Sequence, residues 1–285
     1  MTPLRWSACI TAGVGTLGWA LAVTSLSPRR DAWTLVGTSA DTSIILARLS
    51  VANTGLFADQ LTSRVVVIPP TGTPLEYRSI EGPGSIDAAG ARAGAVAIEQ
   101  HGSDWSIRTA GETLHSRLRV ADSPTSCPPT PGRLAGVVEA GDADNAGAAL
   151  GLTVDGSGIL VRTRAQDSVR DGALYVLTPE FSLGLDGLSD CPAWLIDGER
   201  RWTGAAMPLP VVDGEDLELG VGPLVILVHP WIDAVTQHSL SHTLVAERVL
   251  AWMVGFPPPR ATVRRATVTV QGRDGKRIGV LIERR

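Results

Sequence analysis

The sequence predicts an all-β protein, built as two consecutive antiparallel units, barrels or sandwiches, behind an N-terminal apolar leader. Three observations carry this reading. Short apolar runs alternate with turn residues, and six Asp-Gly dipeptides punctuate them, at 155–156, 171–172, 186–187, 197–198, 213–214 and 274–275. The 285 residues include 31 glycines and 19 prolines, an excess that favours many turns. The long amphipathic helices that a doubly wound α/β fold places between its strands are missing from the pattern. With 44% hydrophobic and 19% charged residues, the chain can bury a real core.

Residues 6–26 carry no charge and follow Arg5. A basic residue, an apolar stretch and then Ala20-Leu21-Ala22 have the three parts of a secretory signal cleaved after Ala22. The same stretch could instead stay as a membrane anchor, since about 20 apolar residues cross a bilayer. Residues 1–22 are thus read as signal peptide or anchor, and the rest as exported: periplasmic, cell-surface or secreted. Removing the leader takes Cys9 with it and leaves Cys127 and Cys191, an even pair suited to a disulfide in an oxidising compartment. Such a bridge would add on the order of 4 kcal/mol in the chain-entropy description.

Residues 31–121 form the expected first β unit. Arg64 to Ile68 is a Val-rich strand stopped by Pro69-Pro70. Residues 95–100, 105–108 and 114–120 are three short strand-like segments joined by Gly-bearing turns, an antiparallel meander. The stretch 122–132, DSPTSCPPTPG, has four prolines and no apolar run, and reads as a linker. Residues 133–285 form the expected second unit, with strand-like runs at 136–140, 159–163, 173–177, 217–220, 224–228 and 266–271.

The segment 231–254 is ambiguous between helix and strand. Ile44 to Phe57 and Thr243 to Phe256 share length and apolar pattern, and this internal likeness favours strand.

The pattern is similar to that of the tandem lipocalin-like proteins, the carotenoid 1,2-hydratases and AttH-type proteins. The residues behind the resemblance are VAIEQHGSDWSIRTAGETLHSRLRV at 96–120, the long run after Ile44, and Trp231-Ile232-Asp233. A glycine-rich lead into the Trp-x-Asp is replaced here by Val228-His229-Pro230. The resemblance implies β-barrels with apolar interiors and a terpenoid or lipid as the bound molecule.

Candidate functional residues follow. Trp33, Trp105, Trp202, Trp231 and Trp252 could line an apolar pocket, each indole offering an N–H as a polar handle; tryptophans also fill ordinary β cores. Asp233 and His229 are the candidate acid/base pair should the protein be an enzyme of hydratase or isomerase type. His238 and His242 stand four apart, a metal spacing on a helix only, and the Glu of a zinc-protease motif is absent. No metal or cofactor is implied. Neither a G-x-S-x-G nucleophile elbow nor a phosphate loop occurs. A net charge of −4 leaves no footprint for nucleic acid.

The expected partner is therefore an apolar small molecule, with membrane association available through the N-terminus. The rival readings are an enzyme on the same fold and an envelope interaction module without a pocket.

Overall fold

The computed structural model describes residues 29–53, 60–71, 73–111, 114–121, 127–141, 150–165, 172–178, 180–187, 190–205, 216–238 and 260–284. The leader, Trp252, His242 and the segment 243–256 lie outside them.

Every regular element among the described residues is a strand. The first eleven are β1 (Arg29–Ser39), β2 (Ile44–Asn53), β3 (Gln60–Ile68), β4 (Leu75–Pro83), β5 (Ser85–Asp87), β6 (Gly90–Ala93), β7 (Val96–His101), β8 (Asp104–Thr109), β9 (Leu114–Val120), β10 (Gly132–Ala140) and β11 (Leu150–Ala165). They form one antiparallel sheet in the order β4-β3-β2-β1-β11-β10-β9-β8-β7-β6-β5. The second sheet holds β12 (Ala173–Leu177), β13 (Phe181–Asp186), β14 (Ala193–Asp197), β15 (Arg200–Gly204), β16 (Leu217–Val221), β17 (Leu224–His238), β18 (Arg260–Val270) and β19 (Lys276–Arg284). Its order is β15-β14-β13-β12-β19-β18-β17-β16.

The all-β, two-unit expectation is met, and the meander at 96–120 is β7, β8 and β9. The sheets divide elsewhere than at the proline-rich 122–132. After that stretch the chain rejoins the first sheet: β10 pairs with β9, and β11 pairs with β10 and then with β1. The change of sheet comes between Ala165 and Ala173. Proline composition marks where a strand stops, whereas backbone pairing decides which sheet the next strand joins.

One rule builds both sheets. The first four strands form a meander, and the last strand returns to lie beside the first, β11 against β1 and β19 against β12. In this scheme the counterpart of β2, which carries Ile44, is β13. The segment 243–256, likened in sequence to 44–57, lies outside the described residues.

The segment opening at Trp231 is strand as far as His238, with a register shift between Pro230 and Ala234. Of the Asp-Gly dipeptides, 197–198 and 274–275 sit in hairpin turns, with Gly198 and Gly275 at φ of 58° and 95°. Asp155-Gly156 instead lies within β11. Gly156 and Gly158 occupy the stretch where β11 is paired on both edges, and the missing Cβ lets the Thr38 carbonyl approach Gly156 closely.

Burial follows the strand period of two. In β9 the pattern is strictly alternating, with Leu114, Ser116, Leu118 and Val120 inward. Each sheet curls around its own apolar cluster and forms a half-barrel. One cluster joins Leu35, Ile45, Val65, Ile98, Ile107 and Leu134 from seven of the strands' inner faces, including Leu118 of β9. The other joins Leu174, Leu183, Leu195, Ile226, Val268 and Leu281. A third cluster lies between the sheets, where Val36, Leu46 and Val66 meet Tyr175, Trp194 and Val280. The half-barrels stand back to back.

Candidate functional site

The inner wall of the first half-barrel is largely apolar, and its charged pair sits near one end. There β1 supplies Asp31 and Trp33, which share a face because they are two residues apart. Arg162 of β11 is the register partner of Trp33, so it points the same way. Trp105 comes from β8, on the far arm of the curled sheet, and meets Trp33 across the interior. The ring centroids are 4.7 Å apart at 42°, and both residues are 1% exposed. The Trp33 indole N–H donates to the Asp87 carbonyl at 3.1 Å, so the side chain spans from β1 to the β5–β6 turn.

Beside the indoles lies an ion pair. Arg162 donates to both Asp31 oxygens, Nε to Oδ1 at 3.1 Å and Nη2 to Oδ2 at 2.7 Å. The guanidinium carbon stands 5.6 Å from the Trp33 ring centroid, within cation–π range. The hydrogen bonds to Asp31 raise the Arg162 pKa above its ordinary value, against the opposing effect of burial; the charges of Asp31, Asp190 and Asp87 add to the rise.

Asp190 also fixes the Arg162 backbone, its N–H donating to the Arg162 carbonyl at 3.1 Å. The next residue is Cys191, bridged to Cys127 with Cα atoms 5.3 Å apart. The predicted disulfide is present. It ties the chain just before β10 to the turn between β13 and β14.

Further into the first half-barrel, Thr109 and Ser116 form a buried hydroxyl pair at 2.7 Å. At the sheet's edge Tyr77 of β4 donates to the Ala110 carbonyl at 3.0 Å, with its ring over Gly111. That contact draws the edge strand β4 toward the β8–β9 turn and narrows the open side of the curl.

The tryptophans singled out from sequence separate by place. Trp33 and Trp105 are the inner pair. Trp202 of the edge strand β15 lies against Gly204 and Gly222, closing the second half-barrel near the β16–β17 hairpin. Trp231 does not face either interior: it is 37% exposed on the outer face of β17, bonded through its N–H to the Thr267 hydroxyl at 2.8 Å, with Arg265 5.5 Å from its ring. An odd residue on a strand whose even residues (Ile226, Val228) face inward must point out. Trp252 lies outside the described residues. Trp194, not among the candidates, is buried between the sheets over Gly184.

His229 shares the outer face with Trp231 and pairs through Nδ1 with Asp216, just ahead of β16. Of Asp233 only the backbone, in β17, is described. Sequence reading did not select Asp31 and Arg162. They are 131 residues apart, and only the β1–β11 register brings them together. Among the described residues, no group of three or more metal-ligating side chains gathers, and no helix is long and apolar enough to cross a membrane.

No protein-family model matches the chain, and no curated protein does. Solved structures do. The AttH-like protein of Nitrosomonas europaea aligns with a TM-score of 0.58 at 11% identity, covering 90% of this chain and 92% of the other. CghA with Sch210972 aligns with a TM-score of 0.59 at 10% identity, over 90% and 88%. A second structure of CghA gives 0.57 at 10% identity, over the same shares of the two chains. At these identities the likeness is one of fold, and the fold is that of two-unit lipocalin-like proteins.

Proposed function

We propose that the protein is an exported binder of an apolar small molecule, a terpenoid or lipid, held within the first half-barrel. The observation that carries this reading is the Trp33–Trp105 pair on an apolar inner wall, with one ion pair beside it. Ligand sites combine large apolar area with a few convergent polar groups, and this wall has that composition. Two further facts support the reading. A structure of the same fold, CghA, was determined with Sch210972. The Cys127–Cys191 bridge suits an oxidising, exported location. The rival reading, an enzyme working through His229, gains nothing from that residue's exposed place on the outer face.

The test is native mass spectrometry of the full chain purified from producing cells, followed by titration with retinol while tryptophan emission is recorded. A co-purifying apolar compound, or saturable quenching that Trp105→Leu reduces at least threefold, is the expected result. Absence of any adduct together with unsaturable quenching would remove the reading.

A further inference from the structure

We propose that the Cys127–Cys191 bridge is a redox-sensitive clamp on the site of the first half-barrel. Oxidised, it holds the end of β11 that carries Arg162; reduced, it lets that end open. This rests on the binding reading above and adds the regulation of the same site.

The clamp acts where the first sheet runs out of strands. β10 stops at Gly132, opposite Gly158 of β11. From Ile159 to Ala165, β11 keeps β1 on one edge and, among the described residues, has no strand on the other. This stretch includes Arg162, the register partner of Trp33. The turn between β13 and β14 takes the missing strand's place, its Asp190 N–H donating to the Arg162 carbonyl at 3.1 Å. The next residue, Cys191, lies in the apolar layer that also holds Val161. Val161 and Arg162 point to opposite faces of β11, so the turn braces from behind the strand whose front presents Arg162.

One hydrogen bond is a weak hold on a turn that belongs to the other sheet. The bridge makes the hold covalent: Cys127, just ahead of β10, keeps Cys191 in place with the Cα atoms 5.3 Å apart. Cys127 is exposed and Cys191 is 8% exposed, so a reductant meets the bridge from the Cys127 side. A dithiol attacks the Cys127 sulfur and forms a mixed disulfide, releasing Cys191 as a thiol. The reagent's second thiol then closes its own disulfide and releases Cys127, so two electrons and two protons pass to the protein. The turn is then free to leave the edge, and the Arg162 end of the wall opens locally.

The test titrates the full chain with retinol, following tryptophan quenching, before and after treatment with the dithiol dithiothreitol. Hydrogen exchange is read in both states. Reduction is expected to weaken retinol binding about fivefold or more and to raise exchange in 159–165 while β7–β9 stay protected. Reoxidation should restore both. Cys127→Ser combined with Cys191→Ser should match the reduced protein and no longer respond to dithiothreitol. If a co-purified compound occupies the site instead, its release on reduction is the same readout. Unchanged affinity on reduction overturns the clamp and leaves the binding reading standing. Exchange that rises alike in both sheets also overturns it, because the bridge is then a staple of the whole fold. An oxidised chain that binds no retinol and carries no co-purified compound overturns the binding reading, and the clamp with it.

Discussion

At Gly222 the backbone passes through a φ of +55°, and the indole of Trp202 lies where a Cβ would stand, 2.8 Å from the ring carbon Cδ2. Two requirements meet in one residue: a left-handed turn and room for an aromatic ring on the closing edge of the half-barrel. Gly222→Ala is therefore expected to cost about 1–3 kcal/mol through backbone strain, with the displacement of Trp202 added. Gly272 offers the matching control. Its φ is +75°, yet nothing stands within 4 Å of its Cβ position, so Gly272→Ala should show the conformational cost alone. Urea midpoints for the two variants, with Trp202 emission as a second readout, measure the difference; equal losses would mean that Trp202 yields freely.

Among the strands, β18 works in two directions because its side chains alternate. Ala266, Val268 and Val270 enter the second interior, while Val263 and Arg265 face the other sheet. Arg265 is 2% exposed and donates to the carbonyls of Ile68 at 2.8 Å and Pro70 at 3.1 Å, and also to that of Pro69. The proline pair ends β3, and one guanidinium supplies donors to the three successive carbonyls at that end. Arg265→Met would fill similar space and lose every one of these bonds. We expect it to cost about 3 kcal/mol or more, since each lost bond is to a charged donor and the one to Ile68 leaves a buried acceptor. Arg265→Lys should cost less, because a single ammonium retains part of the donation. Thermal or urea denaturation of the pair checks the order, and a methionine variant as stable as the wild type would contradict it.

For the molecule as a whole, the layer between the half-barrels makes them one cooperative body. Leu46, Val66, Val36 and Ile159 of the first sheet meet Tyr175, Val280 and Val263 of the second, all buried. Tyr175 further donates to Asp186 at 2.7 Å within the second sheet, and the disulfide links the sheets covalently. A buried, largely apolar layer of this kind, with Arg265 reaching across it, resembles a domain core more than a contact between independent domains. Leu46→Ala is expected to cost about 2–4 kcal/mol by leaving a cavity there. The loss should appear equally in both halves. Hydrogen exchange of β7–β9 and of β14–β15 reads them separately, and protection lost from the first half alone would show that the halves unfold independently.

The strand pattern was legible in the residues because each strand's side chains alternate on a scale of two, and each turn carries Gly, Asn, Asp or Pro for a local backbone reason. Val96 to Val120 and the Arg64–Ile68 run ending at Pro69 are cases of this, and the Cys127–Cys191 pair followed from arithmetic and compartment. What needed the tertiary structure was every relation set by long-range register. The return of β11 beside β1 moved residues 132–165 into the first sheet and placed Arg162 against Asp31 and Trp33. The same geometry put Trp33 and Trp105 together inside and turned Trp231 outward. A one-residue shift in pairing reverses every side chain's face, and local sequence does not encode which distant strand sets that register.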